Sequence, residues 1–312
     1  MRCRRNRLLA TALSATIFAH GAIAQERPKI TAVSYFSILA TDPAKTEFFF
    51  VHDLGAEKRP DPENSLGARY YFNAVQFVEV LPISLPISPP MINRFDHVAF
   101  ITANAEALRG YLAAHGVEVP PAVTFGSDGS RYFTVRDPEG NRVEFVQPPA
   151  HPDPGSPNPL SDHIIHVGYI VHDPAAEDAF YVALLGFRPY WRGGMKDDQV
   201  DWISQQVPDG TDWIEYMVVK GTEKTGIPAD MSQETAGVLD HFALGVQNME
   251  HSVDLLYVGD RLKARHSQPQ IGRDGKWQIN LYAPDGTRAE LMEFQPSAKP
   301  CCSPYLLASP TQ

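Results

Sequence analysis

Histidine and glutamate recur at equivalent places in a pattern that the chain repeats four times. Each copy opens with an apolar run and closes with a strand-like segment that contains a glutamate. In the second, third and fourth copies the opening run begins with a histidine, and the same 49-residue spacing separates His166 from Glu215 and His241 from Glu290. Imidazole nitrogens and carboxylate oxygens are ligands of borderline and hard divalent ions. The doubled spacing therefore marks these four residues as candidate metal ligands.

Each apolar run is followed by a helix-capping residue and then, 11 to 13 residues later, by a glycine. A side-chain oxygen at the N-cap satisfies free backbone N–H groups, and glycine accepts the backbone conformation that ends a helix. The four pairs are Asp42 and Gly55, Asn104 and Gly116, Asp173 and Gly186, and Asn248 and Gly259. The repeat predicts four units of strand, helix and several strands, with helices of nearly one length.

Turn signals before the closing strands determine which side of the sheet each glutamate faces. Pro284-Asp285-Gly286 precedes Glu290, whereas Pro208-Asp209-Gly210 lies one residue further from Glu215. Because side chains alternate between the two faces of a strand, a shift of one residue reverses the face. For Glu215 the sequence therefore leaves both orientations open.

The first 24 residues have the features of a cleavable secretory signal. A basic head of four arginines is followed by the mainly apolar stretch from Leu8 to His20 and by Ala22-Ile23-Ala24, a small-residue cleavage signal. We therefore expect a secreted or periplasmic protein.

Proline- and serine-rich segments divide the remainder of the chain. The predicted parts are a first domain at 25–148 with modules at 30–82 and 94–148, a linker at 149–160, a second domain at 161–296 with modules at 162–220 and 238–296, and a C-terminal tail at 297–312.

Charge and composition exclude some partners. The formal net charge of −10 makes nucleic acid an unfavourable partner, because an acidic protein repels phosphates. No segment approaches 18 continuous apolar residues, so we expect no membrane span. A small-molecule substrate is expected, and the oligomeric state is open. The adjacent Cys301 and Cys302 have three interpretations, a vicinal disulfide, pairing between chains or a soft-metal site, in a tail expected to have no catalytic role.

The repeated segments resemble one known superfamily. The segments from His166 to Pro174 and from Asp240 to Ala243, together with Pro284 to Glu290 and Asp137 to Glu144, resemble the glyoxalase/bleomycin-resistance/extradiol-dioxygenase proteins, also called vicinal oxygen chelate (VOC) proteins. The resemblance implies an α+β fold in which four βαβββ modules pair into two glyoxalase-like domains with curved mixed sheets. Four modules in one chain resemble the two-domain extradiol dioxygenases.

The resemblance also implies that metal ligands come from the first and last strands of paired modules. His166, Glu215, His241 and Glu290 resemble the ligand set of glyoxalase I. Without Glu215, the set resembles the two-histidine, one-carboxylate triad of the ring-cleaving dioxygenases. In the first domain the same positions are Tyr35, Glu79, His97 and Glu144. Since a tyrosine stands where the first histidine should be, we expect that domain to be metal-free.

The resemblance implies three candidate functions. The first is a metal-dependent lyase or isomerase, with Fe²⁺, Zn²⁺, Ni²⁺ or Mn²⁺ as the ion and Glu290 or Glu215 as the base. The second is an Fe²⁺ extradiol-type dioxygenase, and the third is a bleomycin-resistance-type binding protein without catalysis. The ring-cleaving enzymes carry a tyrosine four residues before the proline of the last turn, but here Asn280 holds that position and Tyr282 lies two before it. His266 is the candidate for their acid–base histidine.

Overall fold

The structure is a computed structural model that describes residues 26–83, 94–219 and 239–311. The predicted signal segment lies outside the described residues, as does most of the polar or proline-rich sequence between the first and second modules and between the third and fourth. Across the described ranges, no helix combines the length and the apolar character that crossing a bilayer requires.

The described residues of the first domain form eight strands and two helices. The strands are β1 (Ile30–Ala40), β2 (Glu57–Pro60), β3 (Ala68–Tyr71), β4 (Phe77–Pro82), β5 (Phe95–Thr102), β6 (Thr124–Phe125), β7 (Arg131–Arg136) and β8 (Arg142–Gln147). The helices are α1 (Pro43–Phe48), which continues as a π-helical segment (Phe49–Asp53), and α2 (Ala105–Ala114).

The second domain repeats this order of elements. Its strands are β9 (Ile164–Val171), β10 (Arg188–Gly193), β11 (Trp202–Gln206), β12 (Trp213–Val218), β13 (Leu239–Val246), β14 (Gln270–Ile271), β15 (Trp277–Tyr282) and β16 (Arg288–Glu293). Its helices are α3 (Pro174–Asp178), which continues as a π-helical segment (Ala179–Leu184), and α4 (Met249–Val258).

Each domain is built on one mixed eight-stranded sheet. The strand order is β2-β3-β4-β1-β5-β8-β7-β6 in the first domain and β10-β11-β12-β9-β13-β16-β15-β14 in the second. The opening strands of paired modules lie antiparallel at the centre, and each has the closing strand of its own module as a parallel neighbour. This arrangement confirms the α+β fold with four modules paired into two domains.

All four helices begin at the predicted N-cap residues, and three of the four end at the predicted glycine. Asp42, Asn104, Asp173 and Asn248 all accept backbone N–H groups of the first turn. Three of the four predicted stop glycines have positive φ, but Gly259 has φ −79°. In that helix the next residue, Asp260, takes the left-handed conformation with φ 54°, so the stop lies one residue later than the glycine.

Alternation along the central strands separates a cup face from a core face. In β1, Tyr35 points into the cup of the first sheet, whereas Phe36 packs 4.8 Å from Phe242 of the second domain. Phe95 likewise packs 5.7 Å from Tyr169. One continuous apolar core thus lies between the two sheets, on the faces opposite their cups.

A buried amide joins the two domains at their central strands. The Gln76 Nε2 donates to the carbonyls of Val33 at 2.8 Å and Ile164 at 2.9 Å, and its Oε1 accepts from Ile164 N at 3.0 Å. Asp212 Oδ2 accepts from Val33 N at 3.0 Å. These bonds tie β1 to β9, so the relative position of the sheets rests on specific polar contacts as well as on the shared core.

The C-terminal tail packs along the second domain. Its described residues form no helix or strand, as the composition predicts. Leu306 N donates to Tyr190 O at 2.9 Å, and the Tyr305 hydroxyl donates to Asp274 O at 2.9 Å. Of the three interpretations of the cysteine pair, the structure has the vicinal disulfide.

Replacement of Gln76 by methionine tests the polar tie between the domains. The substitution keeps the side-chain volume but leaves two buried carbonyls and one N–H without their partner, so we expect a loss of about 2–5 kcal/mol in the free energy of unfolding. Urea denaturation measures it. The control is Gln268→Met on the exposed surface, for which we expect a change within about 0.5 kcal/mol. An equally small change for Gln76→Met would contradict the proposed tie.

Candidate metal centre in the second domain

Two imidazoles and two carboxylates converge on one point in the cup of the second sheet. His166 Nε2 lies 2.7 Å from His241 Nε2 and 3.6 Å from Glu290 Oε2. Glu215 Oε2 lies 3.3 Å from His241 Nε2. Each of His166, His241 and Glu290 offers a ligand atom within 4.8 Å of the others, and all three residues are buried. The structure therefore brings together the four residues that the repeat predicted.

Strand register explains the convergence. The histidines lie on the antiparallel pair β9 and β13, where His166 is opposite Ala243 and His241 is opposite Gly168. Small partners leave room for both rings to bend toward each other. The parallel neighbours β12 and β16 then place Glu215 beside Gly168 and Glu290 beside Ala243. Glu215 faces inward, so the structure resolves the orientation that its longer turn left open.

Asp240 and Arg288 hold His241 in place. The Asp240 carboxylate lies 2.8 Å from His241 Nδ1 and accepts a hydrogen bond from Arg288 Nη2 at 2.7 Å. Although burial and the positive charge of Arg288 oppose it, the pKa of His241 is raised, because Asp240 and Glu215 interact with the imidazole. A metal-binding histidine usually forms a hydrogen bond to a carboxylate through the ring nitrogen that does not face the metal, because this bond fixes the tautomer and the orientation of the ring.

His166 is supported by stacking instead. Its ring lies on the indole of Trp213, with centroids 4.4 Å apart and planes inclined by 28°. Its Nδ1 is buried and has no hydrogen-bond partner among the described residues. Burial, followed by the charge of His241, lowers the pKa of His166 well below its usual value, which keeps the imidazole neutral. A neutral imidazole is the form that binds a metal.

The two carboxylates have different surroundings. Burial raises the pKa of Glu290 to about 7, with Arg288 and His241 opposing the rise. Glu215 is more open to the cavity and accepts a hydrogen bond from Ser204 Oγ at 3.1 Å. Carboxyl groups that differ in this way are suited to different roles in one site.

The ligand cluster lies at the base of a cavity of about 360 Å³. Met195, Trp202, Arg273 and Asp274 line it, as do Asn280 and Tyr282 of β15. His266 is absent from the lining, and its Nδ1 lies 3.0 Å from Ala264 O. The structure therefore does not place His266 as an acid–base group of this site.

Lys276 is enclosed by aromatic rings beside the cluster. Its side chain is fully buried, and Nζ lies 5.0 Å from the ring centroid of Trp213, 5.5 Å from Tyr305 and 5.7 Å from Tyr190. Nζ has no hydrogen-bond partner among the described residues. Burial lowers the pKa of Lys276 to about 8, although Asp274, Glu290 and Glu215 oppose the shift. The fold thus places Lys276 behind the aromatic wall of the cavity.

The equivalent point in the first domain is filled by a phenol. The Tyr35 hydroxyl donates to Glu144 Oε1 at 2.5 Å and lies 3.1 Å from His97 Nε2. Glu79 pairs with Arg69, with 3.6 Å between Oε1 and Nη2. Within the described part of this domain, no group of three potential ligands converges as the second-domain cluster does. The expectation of a metal-free first domain stays a prediction.

The donor set of the second domain fits a divalent ion. Two imidazoles and two carboxylates match the preferences of Zn²⁺, Mn²⁺, Ni²⁺ and Fe²⁺. His166 Nε2 and His241 Nε2 both face the cluster, 2.7 Å apart. His166, His241, Glu290 and Glu215 are the residues that would hold the ion.

Gly168 tests the register argument. A Cβ at this position would overlap the imidazole of His241, so Gly168→Ala must displace a ligand. We expect the divalent-metal affinity to fall by about 10–100-fold with the fold retained, measured by competition with a chromogenic chelator. The control is Ser37→Ala, since Ser37 lies opposite His97 at the same register in the first domain. Unchanged affinity in the Gly168 variant would show that the position of His241 does not control metal binding.

Lys276→Met tests the effect of burying the ammonium group. The pKa of Lys276 is lower in the folded chain than in the unfolded chain, so burial of the ammonium group destabilises the fold fully below pH 8. This destabilisation fades as the pH rises from about 8 to 10.5. At pH 7 we expect the metal-free variant to gain about 1–3 kcal/mol in the free energy of unfolding, and the gain to shrink at higher pH. Urea denaturation across this pH range measures it.

The exposed Lys263→Met is the control, with an expected change within about 0.5 kcal/mol at every pH. Equal effects of the two substitutions at every pH would contradict the burial argument.

Comparison with known proteins agrees with this geometry. Two family models, both described as Glyoxalase/Bleomycin resistance protein/Dioxygenase superfamily, match residues 32–145 and 165–276. No curated protein matches the chain by sequence.

Among solved structures, the Mn(II)-bound glyoxalase from Novosphingobium aromaticivorans aligns with a TM-score of 0.63 at 17% identity, covering 85% of this chain and 83% of that one. An extradiol ring-cleaving dioxygenase from B. fuscum aligns with a TM-score of 0.60 at 16% identity, covering 86% and 73%. A catechol 2,3-dioxygenase aligns with a TM-score of 0.59 at 14% identity, covering 85% and 93%. At these identities the likeness shows the fold.

The two matched domains, each a pair of modules around a cup, show that this chain belongs to the glyoxalase/bleomycin resistance protein/dioxygenase superfamily, the vicinal oxygen chelate proteins.

Proposed function

We propose that the second domain holds one divalent ion through His166, His241, Glu290 and Glu215, and that the chain is a metal-dependent lyase or isomerase. The observation that supports this choice is the inward position of Glu215, whose Oε2 lies 3.3 Å from His241 Nε2. It makes a four-ligand set with a carboxylate from each module. The likeness in fold to a glyoxalase that binds Mn(II) is consistent with such a site.

The chemistry proposed is proton transfer at a carbon beside a chelated oxygen. A bound divalent ion would supply Lewis acidity to adjacent substrate oxygens. Glu290, whose pKa is raised to about 7 by burial, is suited to accept the proton at neutral pH, and Glu215 is the alternative base. Asp240 keeps the His241 ring oriented, and the buried indole of Trp213 shields His166 from water.

The cavity restricts the substrate to a small molecule with apolar parts. Trp191, Trp202 and Trp213 line it together with Tyr305, and Asn280 and Arg273 supply polar groups. A cavity of about 360 Å³ has the size of a small-ligand site. We therefore propose a substrate that carries two adjacent oxygen atoms on a small carbon framework.

A second candidate is an Fe²⁺ extradiol-type dioxygenase. His166, His241 and Glu290 by themselves offer three ligand atoms within 4.8 Å of one another, and a two-histidine, one-carboxylate set suits that ion. Tyr282 also lines the cavity, although two residues from the position that the ring-cleaving enzymes use. A binding protein without catalysis is the third outcome that experiment must separate.

We also propose that the chain is exported, because the first 24 residues have signal-peptide features and the vicinal cysteines form a disulfide. Disulfides persist mainly in oxidising compartments. Mass spectrometry of the protein recovered from an exporting host tests this, because export predicts a mature N-terminus after Ala24.

Turnover with different ions separates the chemistries. The metal-free chain is loaded with Zn²⁺, Ni²⁺ or Fe²⁺ and given α-hydroxy ketones or catechols, with and without air. Proton transfer needs no redox change, so we expect Zn²⁺ to support turnover without oxygen. Glu290→Gln should lower kcat by about 100-fold or more, through loss of the base and a weakened site. The matched control is Glu144→Gln, the equivalent position in the first domain, which should leave kcat unchanged.

Each of the other outcomes supports one of the two alternative functions. Activity confined to Fe²⁺ with oxygen on catechols would replace the proposal with the dioxygenase. Ligand binding without turnover under any ion would support the binding protein. Glu215→Gln then distinguishes the two ligand sets, since full metal affinity and activity in that variant would exclude the four-ligand site.

A further inference from the structure

The first domain retains a cup, but its described residues do not form the ligand cluster seen in the second domain. Its cavity measures about 480 Å³, compared with about 360 Å³ in the second domain. The Tyr35 hydroxyl fills the centre, between Glu144 Oε1 at 2.5 Å and His97 Nε2 at 3.1 Å. The space above this phenol therefore has no role in the proposed metal chemistry, although its volume is that of a ligand site.

Aromatic rings form the walls of this cavity. Tyr35 stacks on Phe77 at 4.3 Å between centroids, and Tyr71 packs against Phe77 at 4.7 Å. Two guanidinium groups already lie on these rings, Arg59 at 4.3 Å from the Tyr71 centroid and Arg69 at 4.8 Å from that of Phe77. The walls thus accept flat cations through cation–π contacts. Tyr132 also lines the cavity, and no such contact covers its ring among the described residues.

The charge of the lining is strongly negative. Seven carboxylates and three arginines line the cavity of the first domain, whereas three carboxylates and two arginines line that of the second. Burial raises the pKa of Glu79 and of Glu144, but five carboxylates still face three arginines if both of these are protonated. A concave surface with this excess of negative charge raises the local concentration of cations.

The buried charges of this cavity are incompletely paired. Arg69 Nη2 lies 3.4 Å from Asp61 Oδ1 and 3.6 Å from Glu79 Oε1, and its Nη1 lies 3.4 Å from Asp128 Oδ2. Well-formed pairs between guanidinium and carboxylate groups are about 2.7–2.9 Å apart. The Asp61 side chain is only 1% exposed, and its Oδ2 has no hydrogen-bond partner in the described part of the chain. A buried carboxylate oxygen without a donor indicates a missing donor, since such atoms are normally satisfied.

We propose that the cup of the first domain is a second, metal-independent binding site for a small aromatic cation, an amine or a guanidine on a ring. The ring would lie against Tyr132, whose face carries no cation–π contact among the described residues, and the charged nitrogen would point toward Asp61 and Asp128. This site is separate from the proposed metal centre and does not depend on its activity. Three features favour a cation over a neutral or anionic ligand: the excess of negative charge in the lining, the aromatic walls and the unpartnered Asp61 oxygen.

Calorimetry of the full chain with three matched probes tests the site. The probes are phenethylammonium, phenethyl alcohol and phenylacetate, which share a ring and differ in charge. We expect phenethylammonium to bind one-to-one with a Kd at least about tenfold below that of the alcohol, to weaken with added salt, and to exclude phenylacetate. Equal binding of the alcohol and the ammonium ion would overturn the proposal.

Variants locate the binding. Asp128→Asn, at a side chain about one third exposed, should raise the Kd for phenethylammonium several-fold without unfolding the domain. Tyr132→Leu should raise it similarly, whereas Tyr132→Phe keeps the ring and should retain affinity. His241→Ala in the second domain should leave this binding unchanged. Loss of binding in His241→Ala, or full binding in both Asp128→Asn and Tyr132→Leu, would contradict a site in the first domain.

Discussion

The antiparallel pairing of β9 with β13 is the constraint on which the second-domain site depends. This pairing brings two imidazoles from different modules to within 2.7 Å of each other. It works because the residue opposite His241 is Gly168, where any side chain would occupy the position of the imidazole. The parallel neighbours then add one carboxylate from each module. The groups of this site come from four strands, so strand register sets their positions.

The two domains show what one substitution does to such a site. In the first domain the pair of Asp96 and His97 and the contact from Arg142 to Asp96 are retained, with distances of 2.7 Å and 2.6 Å. Tyr35 replaces the histidine, however, and its hydroxyl bridges the groups that would otherwise be free to bind an ion. The scaffold that orients the second histidine therefore persists where the metal cluster does not.

Much of the fold and the four-residue cluster could be predicted because both are periodic in the sequence. Caps, turn residues and the spacing from histidine to glutamate each have a local physical cause, and the caps at Asp42 and Asn248 are where they were expected. The support of His241 was missed, although aspartate precedes histidine at 96–97 and 240–241, and arginine lies two residues before glutamate at 142–144 and 288–290. The ring cage around Lys276 joins β10, β12 and the tail, and no local pattern encodes such distant contacts.

The central claim is that one ion binds between His166 and His241 and none binds beside Tyr35. Anomalous diffraction from crystals of the full chain loaded with Mn²⁺ tests it most directly. The account predicts about one strong peak per chain, within bonding distance of both imidazoles and at least one of Glu290 and Glu215. A peak of similar height between Tyr35, His97 and Glu144, or the absence of a peak between the two imidazoles, would contradict it.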